Sequence, residues 1–112
     1  MTNNVKITSV FEKQYKRYAK KYRSLENEIQ ELEKTLIENP KFGIDLGDGL
    51  FKIKLAVRSK NKGKSGGFRI VTYLISENLE NTDINLITIY DKSEIDDIPK
   101  GELLKLVHEI FN

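Results

Sequence analysis

At 112 residues the chain is the size of one ordinary domain, and residues 1–112 are read as a single unit. Its 38% hydrophobic content allows one core, while 32% charged residues, above the usual ~25%, require a heavily ionised surface. The absence of Cys excludes disulfides, thiolate metal sites and thiol nucleophiles.

The opening MTNNVKITS lacks the apolar stretch of a signal peptide, and no run approaches the ~20 apolar residues of a membrane span. A cytoplasmic, soluble protein with no membrane partner is therefore expected. Residues 5–8 alternate apolar and polar and suit a short first strand. Phe11, Tyr15, Tyr18 and Tyr22 recur at helical spacing and predict one face of a helix. Ser24 is the expected N-cap of a second helix, whose stripe is Leu25, Ile29, Leu32 and Leu36 and whose end is set by Asn39-Pro40. So short a connection predicts an antiparallel helical hairpin. Residues 43–49, GIDLGDG, read as a loop or turn. Phe51, Ile53, Leu55 and Val57 alternate with Lys52, Lys54, Ala56 and Arg58, which predicts a half-buried strand with a basic outer face. A basic loop, SKNKGKSGG, covers residues 59–67. Residues 68–75 and 84–90 are apolar on both parities and suit strands covered on both sides, joined by the polar ENLENTD. Pro99 opens a last helix with apolar positions Leu103, Leu106, Val107 and Ile110. The expected fold is α+β: an N-terminal antiparallel helical hairpin packed on a small antiparallel sheet of three or four strands, with a short C-terminal helix. The sheet face bearing Lys and Arg should stay at least partly open.

The net charge of +2 conceals a segregation. Residues 51–75 contain Lys52, Lys54, Arg58, Lys60, Lys62, Lys64 and Arg69 and no acid; residues 11–23 hold six basic residues against Glu12 alone. The acids gather at 26–38 and 91–109. Such a dipolar surface suits a polyanion on its positive side.

Three segments, FKIKLA (51–56), KGKSGGFRIVTY (62–73) and IYDKSE (89–94), follow two helices in that order. Together they resemble the RelE/ParE superfamily of type II toxins, closest to the HigB-type branch of the RelE toxins, over essentially the whole chain. The resemblance implies a compact α+β toxin silenced by a cognate antitoxin, with a helix-turn-helix DNA-binding part expected in that partner. It also implies an mRNA interferase that enters the ribosomal A site, cuts mRNA and so stops translation. Residue by residue, Lys52 and Lys54 match the two strand lysines of the RelE active site, Arg69 the Arg after the Gly-aromatic pair, and Lys92 the basic residue after the last strand. Two positions depart. Ser93 stands where well-known members have a second Arg, and Ile98-Pro99 where they have a Tyr. Tyr73 and Tyr90 are the two candidates for a base-stacking platform.

Cleavage of RNA by its own 2′-OH needs a base, an acid for the leaving 5′-oxygen, and positive charge for the transition state. The single His108 falls off its helix's apolar stripe and reads as an exposed surface residue. Lys52 and Lys54 share a strand face ~7 Å apart, and like charges that close favour the neutral amine of one. Arg69 stays charged and grips phosphate through two N–H groups. The expected assignment is Arg69 on the scissile phosphate, with Lys52, Lys54 and Lys92 sharing charge stabilisation and proton transfer, without metal or cofactor. Arg58, Lys60, Lys62 and Lys64 are expected to add contacts to the RNA backbone. The alternatives are a ParE-type gyrase inhibitor that cuts nothing, and an inactive RNA- or antitoxin-binding domain.

Overall fold

The computed structural model describes residues 2–61, 63, 66–76, 78 and 80–112. The chain runs through β1 (Thr2–Ile7), α1 (Ser9–Lys21), α2 (Leu25–Glu38), β2 (Ile44–Gly47), β3 (Leu50–Leu55), one 3-10 turn (Arg58–Lys60), β4 (Phe68–Ser76), β5 (Asn81–Asp91) and α3 (Lys100–Phe111). The strands form one sheet in the order β1-β5-β4-β3-β2. Among the described residues no helix is long and apolar enough to cross a membrane.

The architecture is α+β, but the expected sheet is corrected in two respects. It has five strands rather than three or four, and it is mixed rather than antiparallel. The first extra strand is β2, where a loop was expected: Ile44 pairs with Lys52, Asp45 with Phe51, and Gly47 with Leu50. Asp48 and Gly49 turn the hairpin at φ 55° and 81°, two left-handed residues that match the twist of the flanking strands. The second correction is β1. It precedes the helices while the other four strands follow them, and it pairs parallel to β5 with Val5 beside Ile84. Parallel neighbours need a long crossover.

The two faces of the sheet are buried differently. The α1 and α2 stripes place Phe11, Tyr18, Leu25, Ile29, Leu32 and Leu36 against Ile53, Phe68, Ile70, Ile84, Leu86 and Ile89. Thr8 caps α1, its Oγ1 accepting from the Phe11 N–H at 3.2 Å; Ser24 stands at the expected N-cap of α2, but its Oγ bonds to Glu28 and Ser59 and makes no cap to its own helix. On the opposite face Leu50, Val71, Ile87 and Tyr90 pack with Leu103 of α3. That helix closes part of the face expected to be open and leaves the end nearer Lys54 uncovered.

One irregularity fixes which way β5 presents its last residues. The β4–β5 register slips by one residue between Val71 and Thr72, so Ile87 is extra. A bulge of this kind changes the parity of the strand beyond it. Ile84 and Leu86 before it and Ile89 after it therefore all face the helices, and Tyr90 faces the other way. Gln14 of α1 braces the slip: its Oε1 accepts from the Ile89 N–H and from Thr88 Oγ1, both at 3.0 Å.

Candidate nucleic-acid site

The alternation of β3 sends Leu50, Lys52 and Lys54 to the α3 side of the sheet. The ladder then sets Lys54 opposite Arg69 of β4, and Arg69 opposite Tyr90 of β5. Directly opposed residues have Cβ atoms ~4.5–5.5 Å apart, so these three side chains form one row across three strands. Lys52 lies one step along the same face. Lys92 follows the end of β5, and the chain then turns back so that Asp96 and Asp97 reach the same place. These seven residues line one open cavity of about 360 Å³. All four residues expected to be catalytic, and Tyr90, thus meet at a single hollow.

The charges inside it differ in burial. Arg69 is 6% exposed, and its Nη1 donates to the Phe68 carbonyl at 3.2 Å. The long guanidinium side chain thus keeps its stem in the sheet and its charge at the cavity wall. Lys52 Nζ lies 3.4 Å from Asp97 Oδ1. Tyr90 Oη is 3.5 Å from that same oxygen, at the outer limit of a hydrogen bond. Burial pushes the Tyr90 hydroxyl above its ordinary value, Asp97 adds to this, and Arg69 opposes it; the phenol is held protonated, as a donor. Lys92 Nζ donates to Asp96 Oδ1 at 2.7 Å and to the Asp96 carbonyl. That contact holds the Asp96 carboxyl below its ordinary range. Lys54 makes no ion pair among the described residues, while Lys52 and Lys92 each make one.

The remaining expected contacts are dispersed. Lys60 is not available to a backbone phosphate: its ammonium is paired with Asp91, and the two side chains are only 5% and 4% exposed. Asp91 also accepts from the Ser93 N–H at 2.9 Å and from Ser93 Oγ at 2.7 Å. Burial alone would raise the Asp91 carboxyl; the hydrogen bonds from Lys60 and Ser93 outweigh it and hold it low. Ser93, at the position where the family resemblance expects an Arg, is itself exposed and bonds to the buried Lys60–Asp91 pair. Arg58 opens the 3-10 turn and lines a neighbouring hollow with Glu28 and Glu31, its own N–H donating to Glu28 Oε1 at 2.8 Å. Tyr73 is no stacking platform at this site. Its ring packs 5.5 Å from that of Phe111 in the core under α3. His108 is exposed on α3, as expected. Lys62 and Lys64 lie outside the described residues.

The sequence reading missed the two carboxylates. Asp96 and Asp97 belong to the acidic stretch at 91–109, and the one available signal is the i, i+4 spacing of Lys92 and Asp96. What the site can do follows from its donors: four cations and a phenol around one hollow can bind a phosphodiester and stabilise added negative charge on it. No family model matches this chain.

Proposed function

We propose that this protein is a ribosome-dependent endoribonuclease of the RelE type, the toxin of a type II toxin-antitoxin pair, working in the cytoplasm. The observation that carries the reading is the convergence of Lys52, Lys54, Arg69 and Lys92 on one open cavity of about 360 Å³. A scattering of lysines that only kept a sheet edge soluble would have no reason to meet a buried guanidinium. Arg69 sits in the wall of the hollow, bonded to the Phe68 carbonyl, and receives the scissile phosphate. Lys52, Lys54 and Lys92 surround the phosphorane-like transition state, where the RNA 2′-OH attacks the adjacent phosphorus and the 5′-oxygen leaves. Tyr90, at the end of the same row, is only 2% exposed, its ring packed with Leu50, Val71, Ile87 and Leu103, so it is no base-stacking platform; its hydroxyl, beside Asp97, orients the ribose. The positive charge needed at the transition state comes from side chains, so no metal is required. The partners in this reading are mRNA in the ribosomal A site and an antitoxin with a helix-turn-helix part.

Primer extension on cellular mRNA after brief induction tests this. Discrete cuts that need active translation, and that vanish with Arg69→Ala, are the expected result. Intact mRNA with damaged DNA would replace it with the gyrase-inhibitor reading, and growth without any effect on either would leave a binding domain.

A further inference from the structure

The cations of the cavity leave one chemical requirement unmet. An ammonium or guanidinium has donors only and no lone pair with which to take a proton. The Tyr90 phenol is held protonated by burial and by the neighbouring carboxylate. Among the described residues lining the cavity, the ionised proton acceptors are Asp96 and Asp97. They are not equivalent. Asp96 is 99% exposed and closes back on Lys92 four residues earlier. Asp97 reaches inward, and a single oxygen, Oδ1, meets both Lys52 Nζ at 3.4 Å and Tyr90 Oη at 3.5 Å. Two donors, one on β3 and one on β5, thus meet a single oxygen of this carboxylate. That is the arrangement of a positioned base: near the reacting centre, oriented by neighbours, and accessible to substrate.

The geometry points to Asp97 as the group that accepts the 2′-OH proton in RNA cleavage, with Lys54 as the acid for the departing 5′-oxygen. The inference rests on the nuclease reading above and replaces a lysine with a carboxylate as the base. In the step, the 2′-O–H proton passes to Asp97 while the 2′-oxygen forms a bond to phosphorus. The phosphorus–5′-oxygen bond breaks, its electron pair stays on that oxygen, and the Lys54 ammonium supplies the proton. The products are a 2′,3′-cyclic phosphate and a 5′-hydroxyl, and exchange with water restores both side chains. Lys54 is chosen over Lys52 and Lys92 because those two are already held by Asp97 and Asp96. The charged and titratable groups around Asp97 are Lys52 and Lys54 on β3, Arg69 on β4, Tyr90 and Lys92 at the end of β5, and Asp96 beside it.

The test is single-turnover cleavage of mRNA on purified, programmed ribosomes by the full chain, followed across pH, for the unmodified protein, Asp97→Asn and Asp97→Glu. Asparagine keeps the shape and an acceptor oxygen but takes no proton. The expected result is a rate lowered by about 10²-fold or more for Asp97→Asn, with binding to the programmed ribosome undiminished. The rise of rate with pH on the acid side should be lost, and Asp97→Glu should recover part of the activity. The Asp97 side chain is 60% exposed, so both variants should fold; their thermal unfolding checks this. If Asp97→Asn cuts as fast as the unmodified chain, or faster, Asp97 merely competes with phosphate for Lys52, and the assignment is overturned while the nuclease reading stands. If the unmodified chain cuts nothing, both fall together.

Discussion

Lys54 and Arg69 are direct partners in the β3–β4 ladder, one exposed on the rim of the cavity and the other buried in its wall. The pairing makes their roles separable. A guanidinium set into the sheet cannot be replaced by a flexible ammonium without losing its two-pronged hold on a phosphate. Arg69→Ala should lower the cleavage rate by roughly 10²–10³-fold, and Arg69→Lys should restore only a small part of it. Lys54→Ala should act on rate with little effect on unfolding temperature. Single-turnover rates and thermal melts on the same preparations check both.

The Lys60–Asp91 pair is structural, so its loss should appear in stability first. Removing one partner of a buried pair strands the other charge and costs about 3–5 kcal/mol. Lys60→Met should therefore shift the urea midpoint strongly downward, and the double variant Lys60→Met with Asp91→Leu should recover much of the loss. Were Lys60 a phosphate contact instead, Lys60→Met would leave the midpoint unchanged and flatten the salt dependence of RNA binding.

The same pair sets the behaviour in acid. The folded Asp91 carboxyl lies below its ordinary 3.8, because bonds from Lys60 and Ser93 outweigh the upward push of burial. A carboxyl depressed on folding contributes stability that is fully present above the unfolded value and is lost as pH falls through the folded one. Urea midpoints should accordingly hold near neutral pH and fall once the pH drops below about 3.8. In Lys60→Met that acid-side slope should be shallower, since the main depressing contact is gone.

Gln14 supports the site from behind the sheet. Its Oε1 serves the Ile89 N–H and the Thr88 hydroxyl next to the bulge that turns Tyr90 towards the cavity. Gln14→Leu leaves both donors unpaired in a buried place, at a cost of about 1–3 kcal/mol. Amide exchange should quicken at Ile89 and Tyr90 before it does in β3.

Much of this was legible because it repeats. Leu25, Ile29, Leu32 and Leu36 fall at helical spacing and are all buried where that spacing puts them. Lys52 and Lys54 alternate with Phe51 and Ile53 and so share a face in any strand containing them. Other features had no local signature. Ile44–Gly47 is short and glycine-flanked, so the turn masked the strand, although Asp48-Gly49 is a recognised hairpin pair. Residues 84–90 are apolar on both parities, so nothing in them tells which face Tyr90 takes; a single-residue slip decides it. The charge of Lys60 was plain, but its partner Asp91 is brought to it by the sheet. Asp97 was hidden for the same reason: its contacts, Lys52 and Tyr90, belong to two other strands.

The parallel seam between β1 and β5 imposes an order on assembly. The α1–α2 hairpin and the β3–β4–β5 meander are joined by near neighbours and can form while later parts are still being made. Thr2 pairs with Asn81, and Ile7 with Leu86. During synthesis β1 must therefore wait, without its strand partner, until β5 has left the ribosome. In refolding followed by pulsed amide exchange, Val5 and Ile7 should gain protection last.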